Sequence, residues 1–278
     1  MSKRIDAILF DMGGTLRRTI RRSPAKKLEF VSQILELIGS DNSPGDFGQL
    51  LSARFRAYRY WAMRSLVDLN ETDLWTKWLL PDRPAEHVSK LAINLNQLWR
   101  DATGRRVVFP ETQETVLALF RRGYRLGLVS NTTSSTEVPR TLDEIGISGC
   151  FETVILSCVV GMRKPGPGIL LEATNRMGLR PEQCAYVGDR PDRDVAAARR
   201  AGFSQTIILR DPKNHSGLPR EAALIPDHTI YNLKELLELF PARSKAKSKR
   251  SQADGPNYDV SLSTMWARTK FSVLSDFF

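Results

Sequence analysis

The sequence predicts an α/β protein built on a doubly wound parallel sheet, with a helical segment inserted near its start. Three observations carry this. Short apolar runs at 8–10, 124–130, 153–157, 184–187 and 205–209 alternate with helix-length segments, and connections of that length join parallel strands. Several of the runs stop on a polar cluster, at the carboxyl end of a strand, where open α/β sheets place their ligands. Between the first run and about residue 105 the pattern is helical, with little strand signal.

In chain order, Ile8, Leu9 and Phe10 read as a buried strand that stops on Asp11, and Gly13-Gly14 as a tight turn bringing backbone close to whatever Asp11 faces. The plainer reading is a strand followed by an Asp that caps a turn. Arg17, Arg18, Arg21 and Arg22 lead out of it, as a solvated face or as the lining of an entrance. Ser23-Pro24 opens a helix with Leu28, Val31, Leu35 and Ile38 at helical spacing, and Gly39 ends it. Residues 47–69 are helical again and rich in Arg and aromatics; helices over 71–80 and 85–101 flank Pro81-Asp82-Arg83-Pro84.

From Val107 strands alternate with helices. Pro110 starts a helix that ends at Gly123, and the next strand stops on Ser130-Asn131. The third strand precedes a loop carrying Lys164-Pro165, and the fourth runs into Gly188-Asp189-Arg190-Pro191-Asp192-Arg193-Asp194 and an Ala-rich helix ending at Gly202. After a helix over 233–240, residues 241–257 form a basic polar linker with little to bury. Residues 258–278 regain apolar side chains: a tail that could dock on the body, pair with a second copy as a homodimer, or open a further domain.

The chain has 278 residues, 41% hydrophobic and 26% charged, enough for one large domain with an insertion or for two domains. No apolar run approaches the roughly eighteen residues of a membrane span, so a cytoplasmic protein without a membrane partner is expected. Cys150, Cys158 and Cys184 form no metal-ligand or disulfide pattern and read as reduced core residues. The net charge of +10 comes without a nucleic-acid recognition motif and suits anionic small molecules equally well.

Four strand-end clusters remain: Asp11, Ser130 with Asn131, Lys164, and Asp189 with Asp194. In this order and spacing they resemble the four motifs of the haloacid dehalogenase superfamily, in the branch with a helical cap after the first motif, over residues 5–240. The resemblance implies a Rossmann-like core over 1–16 and 106–240 with a cap over 17–105, and a phosphatase that forms an aspartyl-phosphate on Asp11. The chemistry agrees. A phosphoester is anionic, so a carboxylate nucleophile needs a cation beside it, and Asp11 with Asp189 supplies hard oxygens suited to Mg²⁺, the Gly13 carbonyl being a third ligand. Lys164 would neutralise charge beside Asp11, while Ser130, Asn131 and the backbone near Gly14 hold the phosphoryl oxygens of a small phosphorylated metabolite. Asp194 is expected to anchor this group rather than to ligate directly.

One residue departs from the pattern. Phosphatases of the superfamily usually carry a second Asp two positions after the nucleophile, as general acid and base, and this chain has Gly13. Such assistance is worth ~10²–10⁴-fold. A weak phosphatase, a 2-haloacid dehalogenase and a binding protein without turnover are therefore the three readings, with the phosphatase favoured by the intact Gly188-Asp189.

Overall fold

A computed structural model describes residues 4–211 and 221–243. β1 (Ala7–Phe10) is apolar and buried along its whole length, as a strand covered on both faces must be. A turn leads to β2 (Arg17–Ile20), and then come α1 (Pro24–Leu37), α2 (Pro44–Ser65), α3 (Glu71–Leu74) with a π-helical turn at Trp75–Leu79, and α4 (Ala85–Thr103). β3 (Arg105–Val108) returns antiparallel to β2, with Arg17 opposite Val108. Next are α5 (Thr112–Arg121), β4 (Arg125–Ser130), α6 (Glu137–Glu144), β5 (Phe151–Leu156), α7 (Ser157–Val160) and α8 (Gly168–Arg176). The chain closes with β6 (Cys184–Gly188), a π-helical turn at Pro191–Val195 running into α9 (Ala196–Ala201), β7 (Gln205–Leu209), β8 (His228–Ile230) and α10 (Leu236–Leu239).

Six strands form one parallel sheet in the order β5-β4-β1-β6-β7-β8. β1 is central and the strand order reverses around it, so the ends of β4, β1 and β6 flank the crevice where such sheets bind ligands. Side chains alternate along β1: Ile8 and Phe10 join one core layer with Val116 and Leu119 of α5, while Ala7 and Leu9 join the other with Ile169 of α8 and Ala197 of α9.

The helices between β2 and β3 build a separate core around Val31, Leu51, Tyr58, Trp75 and Trp99. Ser23 caps α1 by accepting the Lys26 N–H at 3.3 Å, with Pro24 in its first turn. Burial of each large apolar side chain stabilises this layer by about 1.5–3 kcal/mol, which supports a body distinct from the sheet. Leu28, placed on the apolar stripe by its spacing, instead faces solvent at 43% exposure, because the cluster starts one turn later at Val31.

The antiparallel ribbon of β2 and β3 corrects the expectation of little strand between 17 and 105. β2 reads Arg-Arg-Thr-Ile with only its first residue buried, so it has no apolar alternation and owes its conformation to pairing with β3. β8, a three-residue edge strand, escaped notice for the same want of pattern. The three cysteines are buried and free. Among the described residues no helix is long and apolar enough to cross a membrane. Of the expected linker and tail, only Pro241–Arg243 lie within the described residues; the Arg243 N–H donates to the Arg122 carbonyl at 3.2 Å and its guanidinium to that of Ile5 at 2.8 Å.

Candidate active site

Asp11 lies at the carboxyl end of β1, its N–H donating to the Val187 carbonyl at 2.8 Å, and its side chain is 2% exposed. A buried carboxylate needs compensation. Lys164 supplies it from the loop after α7: its fully buried Nζ donates to Asp11 Oδ1 at 2.7 Å, to the Val129 carbonyl at 3.0 Å and to the Tyr186 hydroxyl at 2.6 Å. Asp194 Oδ1 stands 2.9 Å from the same nitrogen. With Asp194 counted, four acceptors share its three ammonium protons.

Asn131 fixes the lysine's backbone. Its Nδ2 donates to the Lys164 carbonyl at 2.8 Å and its Oδ1 accepts the Lys164 N–H at 3.0 Å, so the end of β4 and the lysine loop are clamped together. Ser130, immediately before it, is buried at the end of β4 beside β1. Tyr186 on β6 completes the lysine's setting, donating to the Val129 carbonyl at 3.2 Å, with its ring centroid 5.1 Å from Nζ.

The turn after β1 explains its two glycines differently. Gly14 has φ +89°, and a Cβ there would meet Asp189 Oδ2 at 2.0 Å, so only glycine allows the close approach of that acid. Its N–H donates to the Arg17 carbonyl at 2.6 Å. Gly13 is exposed, and a Cβ built on it would have nothing within 4 Å.

On the far side, Asp194 is fully buried and braces the loop after β6, its Oδ2 accepting the N–H groups of Asp189 at 3.2 Å and Arg190 at 3.0 Å. A Cβ at Gly188 would meet Asp194 Cβ at 2.5 Å, which accounts for the glycine before Asp189. Arg193 enters the centre: its Nη2 lies 2.8 Å from Asp11 Oδ2, 2.7 Å from Asp189 Oδ1 and 2.9 Å from Asp194 Oδ2.

The electrostatics reflect this crowding. Burial, with the neighbouring Asp11 charge, pushes Asp189 up to about 7. Burial acts the same way on Asp194, but Lys164 and Arg193 outweigh it and hold that carboxyl below the usual range. For Arg193 burial opposes the charge, and attraction by Asp11 and Asp194 overcomes it, raising the guanidinium above its ordinary value.

The helical layer meets the site's loops directly. Asn96 Nδ2 donates to the Thr133 carbonyl at 2.8 Å, and Glu71 Oε1 accepts the N–H and hydroxyl of Ser135 at 2.6 and 2.8 Å. After α2, Leu66 takes a left-handed φ of 57°, and Asp68 then reaches Arg163, next to the lysine, at 2.8 Å. Arg17 is neither solvated nor at an entrance: it is 4% exposed and pairs with Glu137 on α6 at 2.6 Å.

Sequence reasoning missed Tyr186 and Arg193. A tyrosine inside a buried strand carries no signal of its own, and nothing local sets Arg193 apart from the other charged residues between Asp189 and Asp194.

The donor set suits a hard divalent cation. Asp11, Asp189 and Asp194 converge with ligand atoms within 4.8 Å of one another, and carboxylate oxygens are what such a cation takes. The Gly14 cradle that admits Asp189 fits the same purpose.

Residues 5–202 match the model of the haloacid dehalogenase-like hydrolase family. A glyceraldehyde 3-phosphate phosphatase of Methanopyrus kandleri is 34% identical over 49% of this chain and 58% of its own length. A phosphoglycolate phosphatase of Nitrosococcus oceani is 36% identical over 51% of this chain and 62% of its own. The chain thus spans about six-tenths of the length of these relatives. The crystal structure of a 2-haloacid dehalogenase from Pseudomonas syringae superposes with a TM-score of 0.60 at 21% identity, covering 84% of this chain and 97% of that one, a likeness of fold. With its parallel sheet, the four strand-end clusters and a family match over most of its length, the chain belongs to the haloacid dehalogenase-like hydrolases.

Proposed function

We propose that this protein is a Mg²⁺-dependent phosphatase acting on a small phosphate monoester through a covalent aspartyl-phosphate at Asp11. The observation that carries the reading is the buried Asp11 carboxylate, oriented by Lys164 at 2.7 Å and facing a second acid, Asp189, across the crevice. The phosphatase names of the partly matching relatives support the substrate class. Asp11 and Asp189 would hold the ion, with the Gly13 carbonyl beside them, and bound there it would offset the repulsion between carboxylate and phosphate.

In the first step an Asp11 oxygen bonds to phosphorus as the ester P–O bond breaks, and the leaving oxygen departs as an anion that takes a proton from solvent water. In the second, water attacks the acyl phosphate, releasing inorganic phosphate and restoring Asp11. Lys164 holds the nucleophile in one orientation, and Ser130, at the adjoining strand end, holds a phosphoryl oxygen. The helices between β2 and β3 act as a cap that selects the substrate. With Gly13 in place of an acid, no side chain of that turn supplies the proton, so leaving groups stable as anions should be preferred.

Hydrolysis of a 2-haloacid is the second reading, favoured by Gly13 and by the guanidinium of Arg193 among the three acids. Two assays on one preparation separate them: Mg²⁺-dependent release of p-nitrophenol from p-nitrophenyl phosphate, expected here, and chloride release from 2-chloropropionate. Chloride release without phosphatase activity would overturn the proposal. Neither activity would leave the binding-protein reading.

A further inference from the structure

Three carboxylates and two cations make up the centre of the site, and they are not symmetrically arranged. Lys164 is fully buried and serves Asp11 Oδ1 and Asp194 Oδ1. The oxygens it leaves, Asp11 Oδ2, Asp189 Oδ1 and Asp194 Oδ2, all face one point, and Arg193 Nη2 stands there at 2.7–2.9 Å from each. A guanidinium nitrogen carries two protons and cannot donate a full hydrogen bond to three acceptors. That point suits a spherical cation better than a planar one.

We propose that Arg193 is an internal counter-cation that competes with the divalent metal for Asp11 and Asp189, and so sets this protein's affinity for Mg²⁺. The inference rests on the metal-dependent reading above. Mg²⁺ draws its oxygen ligands to about 2.0–2.1 Å in near-octahedral order. An ion bound by Asp11 and Asp189 and a guanidinium nitrogen bonded to the same two oxygens would occupy one place with charges of the same sign. One must leave.

Arg193 is the group able to leave. Its side chain is 20% exposed, against 0% for Lys164 and for Asp194, so it has a path to solvent. Its departure does not dismantle the loop, because Asp194 keeps the N–H groups of Asp189 and Arg190 and its contact with Lys164. Without either cation, however, two buried acids and the half-buried Asp189 would face one another with Lys164 alone against them, which is unfavourable. Arg193 therefore lets the site fold without metal, at the cost of weaker metal binding.

Calorimetric titration of Mg²⁺ into the EDTA-treated full chain, compared with Arg193→Gln and Asp189→Asn, tests this with no need of turnover. Arg193→Gln should bind Mg²⁺ about tenfold tighter or more, melt lower than the parent in EDTA, and gain more in melting temperature from Mg²⁺. Should Arg193→Gln fail to fold, Arg193→Lys takes its place; its shorter reach predicts an affinity between the two. Affinity unchanged or weakened in the Arg193 variant, with binding lost in Asp189→Asn, would overturn the competition and leave the metal reading standing. Absence of binding in both parent and Arg193 variant would overturn the metal reading and this inference together.

Discussion

Gly13 and Gly14 are neighbours in the turn after β1, yet the chain needs only one of them to be glycine. Gly14 combines a left-handed φ with a carboxylate oxygen 2.0 Å from where a Cβ would stand; at Gly13 neither constraint applies. Gly13→Asp should therefore fold with an unchanged melting temperature and place an acid beside the leaving group. It should raise hydrolysis of alkyl phosphates by up to ~10²–10⁴-fold while changing p-nitrophenyl phosphate little, read as the ratio of kcat values for the two substrates. Equal rates on aryl and alkyl esters in the parent would mean that another group already supplies the proton. Asp11, Ser130, Asn131 and Asp189 stood out because each closely follows a short apolar run, whereas Lys164 and Asp194, which follow polar stretches, stood out only through the order and spacing that resemble the family's motifs. Asn131's clamp on the Lys164 backbone was not, since a side-chain amide bonded to backbone 33 positions away leaves no local pattern. Tyr186 and Arg193 act through contacts that only the folded sheet creates.

At the scale of elements, the ribbon of β2 and β3 is tied to α6 and α4 through one acid. Glu137 takes Arg17 at 2.6 Å, Arg106 at 3.1 Å and Arg100, so a single buried carboxylate gathers three guanidinium groups from the ribbon and α4. Burial opposes its charge, but Arg100 and Arg17 prevail and hold Glu137 down at about 2, against an ordinary 4.5. A depressed folded value means that the ionised acid adds stability above about pH 4.5 and that this is lost as pH falls through about 2. The contribution is about 3 kcal/mol from the size of the shift. Glu137→Gln should be less stable at neutral pH, by about 3–5 kcal/mol, because the buried Arg17 and the half-buried Arg100 and Arg106 lose their partner. Its acid-unfolding curve between about pH 4.5 and 2 should also be shallower than the parent's, measured by denaturant titration at each pH. An unchanged slope would show that the ion cluster does not govern this limb. Nothing in the sequence announced this cluster: Arg17 looked like one of four basic residues in an exposed run, and its partner lies 120 positions away.

Across the whole molecule, the parallel sheet was legible because strands covered on both faces are continuous apolar runs, and the helical layer because its stripes recur at helical spacing. The ribbon joining them was not, being polar and held by pairing alone. The described body ends with Arg243 docked on Arg122, Ile5 and Asp6, and its core and site are built from residues up to that point. Deleting residues 244–278 should leave the melting temperature and p-nitrophenyl phosphate hydrolysis unchanged; a large fall in melting temperature would show that the tail completes the core, and a change only in sedimentation would assign it to assembly. Everything in the proposed chemistry turns on Asp11 as the nucleophile. The most direct test is the intact mass of protein quenched in acid during turnover of p-nitrophenyl phosphate with Mg²⁺. The parent should gain one phosphoryl group, removable by hydroxylamine, in a burst that accumulates because Gly13 leaves the second step without its base, and Asp11→Asn should gain none. Steady turnover with no adduct on the parent, or an adduct retained by Asp11→Asn, would contradict the account.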